Sequence, residues 1–393
     1  MRPNDSSRMA FSDDVRIARP EHTYDKLRGR NLWVMNPAAA AKFISETYAP
    51  GKTRRVVYIA TGDEERVLEN LLRENIPVVL TGPPGIGKTT LIQSVFERLK
   101  LPLQTFVASA ATQVFELLGR EMTSGESGDM PIWQDGRLSL AARAAVGGVE
   151  SGFYLDELIR LPAVLSSSLY SIIDARQTLY LPTGEELHLG GRLKPVFSYN
   201  PCRHTRLDDA LRSRLTTIRL GYPPAAVEER ILQEPSIGRL GALTNGGELA
   251  KGLVRFANVL RRALGYEVEA TIDHFGESEL RLLRMIPSPP STRSLIVAAR
   301  MILAGDYGAS EAIKSFLVPS MIQDLHDHDL PELMHLLKRL VEDQIGMHEE
   351  APAAFSSGDR MFDQRPGETL ADALERQIAM ERSAQRALRG LRP

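Results

Sequence analysis

The sequence predicts an α/β protein, a parallel sheet with crossover helices followed by a second, mainly helical domain, and three observations predict it. An apolar run, Ile76-Pro77-Val78-Val79-Leu80, passes through a glycine-rich turn into Thr90-Leu91-Ile92-Gln93-Ser94-Val95-Phe96, whose apolar residues recur at helical spacing. Four more short apolar segments, at 103–107, 152–155, 195–199 and 216–220, alternate with helical patterns, as β-α-β crossovers require. From Pro223 onward helical periodicity dominates, at 253–264, 279–285 and 294–303, with Ser291 or Thr292 placed to cap the last of these.

Composition bounds the rest. At 393 residues, 43% hydrophobic and 25% charged, the chain reads as a soluble globular protein of two or three domains. Lys and Arg number 48 against 50 Asp and Glu, a net charge of -2, so no global basic bias points to nucleic acid or an anionic membrane. The single cysteine, Cys202, excludes an internal disulfide framework and a multi-cysteine zinc site, and fits a reducing, cytoplasmic setting. No run approaches the roughly 18 apolar residues that span a bilayer, and the first residues carry no signal-peptide core, so membrane insertion is not expected.

Along the chain, residues 1–60 mix Arg, Asp, Pro and small residues, including Asn36-Pro37-Ala38-Ala39-Ala40-Ala41, and read as a loosely structured extension. Thr61-Gly62-Asp63 then starts a helix with Val67, Leu68, Leu71 and Leu72 on one face. The α/β core runs over 61–222 and the helical region over 223–346. Beyond it, 347–393 form a linker and a terminal helix bearing Leu370, Leu374, Ile378, Leu388 and Leu391. Two excursions interrupt the core. Residues 119–132 are rich in turn formers, and 179–189 alternate about Pro182-Thr183-Gly184 as a β-hairpin expected to point away from the main core.

The chemistry concentrates at the ends of the expected strands. In Gly82-Pro83-Pro84-Gly85-Ile86-Gly87-Lys88-Thr89, with Thr90 completing the set, glycines let backbone N–H groups wrap phosphates. Lys88 supplies a charge to the β/γ-phosphates and the Thr89 hydroxyl a ligand for Mg²⁺. Gly152-Phe153-Tyr154-Leu155-Asp156-Glu157 ends a strand in two carboxylates, which also suit a helix N-terminus. Downstream of a phosphate loop they suit metal binding at Asp156 and activation of water by Glu157. Asn200-Pro201 ends the next strand with an amide able to position water. In Leu207-Asp208-Asp209-Ala210-Leu211-Arg212-Ser213-Arg214, either arginine suits a guanidinium donated across a subunit boundary. Cys202 has no evident His–acid partners, and His326-Asp327-His328 reads as a polar turn rather than a metal site.

This ordered set resembles the AAA+ ATPases, and Trp133-Gln134-Asp135-Gly136-Arg137, Phe197-Ser198-Tyr199-Asn200-Pro201 and Ser291-Thr292-Arg293 narrow the resemblance to the MoxR group, CbbQ/NorQ branch, over 68–305. The resemblance implies a P-loop NTPase fold, a three-layer αβα sandwich with an α-helical lid, and ATP with Mg²⁺ at the interfaces of a ring, six-membered in that family. It makes Asn200 sensor 1, Arg293 sensor 2 and Arg214 the arginine finger, with Arg212 the competing candidate and Leu215 where relatives commonly carry Phe. The excursions become the helix-2 insert and the insert before sensor 1. Family members are chaperone-like activators of a client protein, often acting with a partner that carries a von Willebrand factor A domain. A DNA-directed motor would instead want basic inserts, yet Glu121, Glu126 and Asp129 outnumber Arg120 in the first, and Glu185 and Glu186 lie in the second. A nucleotide switch with negligible turnover is a third reading, against which Glu157 and the finger candidates stand.

Overall fold

The computed structural model describes residues 22–27, 30–50, 56–122, 131–201, 207–304, 309–322 and 330–345, all within one compact unit, Met1–Glu349. The strands are β1 (His22–Leu27), β2 (Arg30–Met35), β3 (Val78–Thr81), β4 (Leu103–Val107), β5 (Gly119–Met122) and β6 (Ile132–Asp135). They continue with β7 (Ser151–Asp156), β8 (Thr178–Tyr180), β9 (Glu186–His188), β10 (Leu193–Tyr199) and β11 (Thr216–Arg219). Five of them make one sheet, in the order β11-β3-β10-β7-β4, and every pairing within it is parallel.

Such a sheet needs both faces covered, because its strands are apolar on both sides. Helices Glu64–Arg73 and Lys88–Leu99 cover one face, packing Leu68, Leu72, Leu91, Val95 and Phe96 against Val78, Leu80, Tyr154 and Val196. Helices Arg137–Val146 and Ala163–Ile173 cover the other, setting Leu138, Ala142, Leu165 and Leu169 on Val79, Phe153, Leu155 and Phe197. Strand alternation sends Tyr154 to the first face and its neighbours Phe153 and Leu155 to the second. Burying side chains the size of Phe153 contributes about 1.5–3 kcal/mol each. The helical region after Ala225 has its own core, built from Leu253, Phe256, Leu260, Leu295, Leu317 and Leu337 among others. The architecture is the expected αβα sandwich followed by a helical lid. Among the described residues no helix is long and apolar enough to cross a membrane.

Three expectations need correction. The first sixty residues are not uniformly loose, because β1 and β2 pair as an antiparallel hairpin and helix Pro37–Thr47 follows. Asn36 caps that helix, its Oδ1 accepting from Ala38 N at 2.8 Å, and Pro37 stands in the first turn. The periodic large residues are few because the buried face is mostly alanine, Ala40 and Ala41 beside Ile44, with Ala40 and Ile44 packed with Ala144 of the neighbouring helix. A Cβ on Gly147 would sit 2.2 Å from Pro37 O, which leaves only glycine there. The second correction concerns Val67, which is 41% exposed, so the buried stripe of its helix is Leu68 and Leu72.

The third concerns the two excursions. β5 pairs antiparallel with β6, and β6 joins β2, giving a four-stranded sheet β1-β2-β6-β5 that unites the first insert with the N-terminal hairpin. Leu32, Val34 and Trp133 pack together on it. The β8–β9 hairpin does not point away from the core, since Leu179, Leu181, Leu187 and Leu189 are buried in the cluster that contains Phe153 and Phe197. Its Glu185 accepts from Arg143 at 2.6 and 2.8 Å, while the same guanidinium donates to Asp135 at 2.8 and 3.2 Å. Half of the acidic pair expected on this insert is thus neutralised inside the protein, and Arg143 ties the hairpin to the end of β6. Glu126, Asp129, Cys202, His326, His328 and the expected terminal helix lie outside the described residues.

Arg143 is fully buried between two carboxylates, so Arg143→Ala leaves uncompensated charge in the core. Chemical denaturation should show a loss of about 3–5 kcal/mol. A loss below about 1 kcal/mol, the range of surface pairs, would contradict this account of the core.

Candidate nucleotide site

At the carboxyl edge of the main sheet, β3 runs into the glycine loop and the loop into helix Lys88–Leu99. Gly85 has φ 72°, and a Cβ there would come within 2.6 Å of Ser291 Oγ; one on Gly82 would lie 2.2 Å from Leu220 O. Both contacts bar a side chain, so the loop backbone can close on a phosphate chain at the positive end of the helix.

Lys88 is only 8% exposed and donates from Nζ to Gly82 O at 2.8 Å, Pro83 O at 2.9 Å and Asn200 Oδ1 at 2.6 Å. Burial lowers its pKa to about 8, against the pull of Asp156 and Glu157, which favour the charged form, and with a further push down from Arg293.

β10 lies between β3 and β7, so Asn200, one residue past its end, faces both neighbouring strand ends. Its Oδ1 accepts from Lys88 and its Nδ2 donates to Glu157 Oε1 at 2.6 Å. Glu157 itself is in the left-handed region, φ 57°, with its N–H on Asp156 Oδ1 at 2.9 Å. That conformation costs a non-glycine residue about 1 kcal/mol or more and turns its carboxylate out of the strand. Arg160 Nε stands 3.5 Å from Glu157 Oε2.

Below the loop, Thr89 Oγ1 meets Tyr154 Oη at 3.1 Å, Tyr154 Oη meets Ser198 Oγ at 2.9 Å, and Ser198 Oγ donates to Asp156 Oδ1. Burial first, then the Asp156 charge, hold the Tyr154 phenol protonated well above the usual tyrosine range.

The lid reaches the same loop. Ser291 caps helix Thr292–Leu303 by accepting from Ser294 N, and Arg293 N–H donates to Gly85 O at 3.1 Å. Behind this turn a buried cluster fixes its position. Arg261 donates to both oxygens of Glu228, at 2.6 and 2.9 Å, to Asn258 Oδ1 and to Pro290 O, and stacks 4.0 Å from the Tyr222 ring. Thr292 Oγ1 donates to Glu228 as well, at 2.7 Å.

Of the sequence candidates, the glycine loop through Thr89, Asp156, Glu157 and Asn200 converge, and the backbone of Arg293 docks on them. Arg212 and Arg214 are exposed on the segment after β10. Arg212 pairs with Asp209 at 2.6 Å, while Arg214 donates to Ala210 O and lies 5.8 Å from the Tyr170 ring centre. Sequence reasoning missed Tyr154, Ser198, Arg160 and the Glu228–Arg261 cluster. The signal for the first two is a hydroxyl inside an otherwise apolar strand. A glycine cradle beside a lysine, with a hydroxyl and a carboxylate close behind, fits a nucleotide phosphate chain and a divalent cation, which takes hard oxygen ligands.

Residues 77–215 match the AAA domain of the dynein-related subfamily. The chain is 34% identical over 249 residues to the denitrification regulatory protein NirQ of Pseudomonas aeruginosa, covering 62% of this chain and 83% of that protein. It is 27% identical over 284 residues to protein NorQ of Paracoccus denitrificans, 71% of this chain and 92% of that one. Protein CbbQ of Hydrogenophilus thermoluteolus is 28% identical over 252 residues, covering 63% and 82%.

With its pKa lowered to about 8, Lys88 is largely charged below that pH and increasingly neutral above it. Nucleotide affinity measured by calorimetry should therefore fall as pH rises past about 8, and Lys88→Arg, which stays charged, should flatten the profile. An unchanged affinity well above that pH in the parent protein would contradict the placement of this ammonium on phosphate.

Proposed function

The chain belongs to the CbbQ/NorQ branch of the MoxR-type AAA+ ATPases, and on that premise we propose that it is a chaperone-like activator that couples ATP hydrolysis to the remodelling or maturation of a partner enzyme. The observation that carries the reading is the bridge Lys88–Asn200–Glu157, which joins a phosphate-binding charge to a candidate general base through one amide.

In this reading Lys88 and the loop backbone from Gly82 to Thr90 bind the ATP phosphates, and Thr89 with Asp156 holds Mg²⁺. When bound, the cation neutralises charge developing on the transferred phosphoryl group. Glu157 takes the proton of the attacking water, with Asn200 holding its carboxylate in place. Arg293 approaches from the lid. Arg214, with Arg212 as the competing donor, is exposed; given to a neighbouring subunit's nucleotide it would require an oligomer, a ring and a hexamer by family resemblance.

The Arg143 link from the second insert to the end of β6, the strand that closes the first, suits a mechanical role in which the two inserts move together. A protein client fits the name of one relative, a regulatory protein of denitrification, and a partner that carries a von Willebrand factor A domain is what the family resemblance adds.

Glu157→Gln is expected to keep ATP affinity and lose turnover by about a hundredfold or more, read as multiple-turnover phosphate release; normal release from that variant would sink the reading. Mixing Glu157→Gln with Arg214→Ala or Arg212→Ala should identify the donor, since only the variant lacking the true finger recovers activity in mixed rings. Capture of the partner on the ATP-bound Glu157→Gln protein tests the client, and a salt-dependent stimulation of turnover by DNA would replace it with a nucleic-acid motor.

A further inference from the structure

Three hydroxyl groups connect Thr89 to Asp156, and two of them, on Tyr154 and Ser198, have no part in binding phosphate or activating water. Each hydroxyl has one hydrogen to give, whereas a carboxylate can only accept. The direction of the whole chain follows from its last member. Ser198 gives its hydrogen to Asp156 Oδ1, so toward Tyr154 it can only accept. Tyr154 therefore donates to Ser198 and can only accept from Thr89. Thr89 in turn must give its hydrogen to Tyr154, which leaves its lone pairs turned away from the protein. A hydroxyl so ordered is a ready ligand for a cation and a poor donor to anything else.

We propose that Tyr154 and Ser198 are positioning residues for the divalent cation, a buried hydroxyl relay that holds the Thr89 hydroxyl in its accepting orientation and registers it against Asp156. The proposal rests on the assignment of Thr89 and Asp156 to the cation, and it adds two residues that touch neither nucleotide nor metal. Neighbouring strands make the relay possible. Val196 pairs with Tyr154 across β7 and β10, and Ser198 lies two positions on, on the same face of the sheet, under the start of helix Lys88–Leu99. Tyr154 and Ser198 are fully buried, so no exposed water competes for their two hydrogens.

Binding of ADP by the full chain, measured with Mg²⁺ and again with a chelator, separates this role from general damage. The parent protein should bind more tightly with Mg²⁺, and the ratio of the two affinities is the metal gain. Tyr154→Phe keeps the ring and removes the hydroxyl. It should leave metal-free ADP affinity within about twofold and cut the metal gain by about tenfold, the effect of one hydrogen bond of ordinary strength. Ser198→Ala breaks the relay one step further from Thr89. It should cut the gain in the same direction, and it decides the matter if Tyr154→Phe does not fold. An undiminished gain in both variants overturns the relay, as does an equal fall of metal-free and metal-bound affinity. A parent protein with no metal gain overturns the Thr89–Asp156 assignment and the relay with it.

Discussion

The position of β10 between β3 and β7 is the constraint on which the site depends. A parallel sheet delivers the carboxyl ends of its strands to one edge, and the order β11-β3-β10-β7-β4 places the end of the phosphate-loop strand and the end of the Asp-Glu strand on either side of Asn200. One short amide therefore spans the gap from Lys88 to Glu157. The same adjacency puts Ser198 within reach of Tyr154 and Asp156. Move β10 out from between β3 and β7 and the loop, the carboxylates and the hydroxyl chain fall apart together, although each segment keeps its local sequence.

A second constraint joins the lid to the sheet. Arg293 reaches the loop through its backbone, at Gly85, and the turn that carries it is held from behind by Arg261 and Glu228. Burying an ion pair costs desolvation that its own attraction barely offsets, so a pair of this kind is better understood as fixing geometry than as adding stability. Here Glu228 accepts from Arg261 and Thr292 at once, and Arg261 also holds Pro290 O. The helix that presents Arg293 is thereby referenced to the first lid helix, Ala225–Gln233, rather than left to pack by shape alone.

What could be read from the sequence was what is local in the chain. The glycine loop, the carboxylates after an apolar run, the Asn-Pro strand end and the Ser291 cap each declare themselves within about ten residues, and each sits where its pattern placed it. The relay was invisible because Tyr154 and Ser198 look like ordinary members of buried strands until β7 and β10 are known to be neighbours. Helix Pro37–Thr47 carries correct local signals, an Asn cap, a Pro and an alanine run, but lacks the large periodic residues that mark a buried face, since close helix contact uses small ones. The β8–β9 hairpin misleads for the opposite reason. Its alternation marks a hairpin correctly, yet alternation alone does not say which surface the apolar side meets. The choice between Arg212 and Arg214 resists both sequence and structure for a physical reason, since in the proposed ring the charge either would meet belongs to another subunit.

The join between β2 and β6 bears on how the chain comes to be folded. Trp33 pairs with Ile132, about a hundred positions away, whereas β1–β2 and β5–β6 are each antiparallel pairs within one short stretch of chain. The two pairs are local, whereas the sheet they build together closes a long loop that contains the phosphate-loop segment and carries the larger closure cost. The contact between β2 and β6 thus ties the N-terminal hairpin to the first insert across the whole segment that carries the phosphate loop, so that sheet encloses the nucleotide strand within its own chain closure.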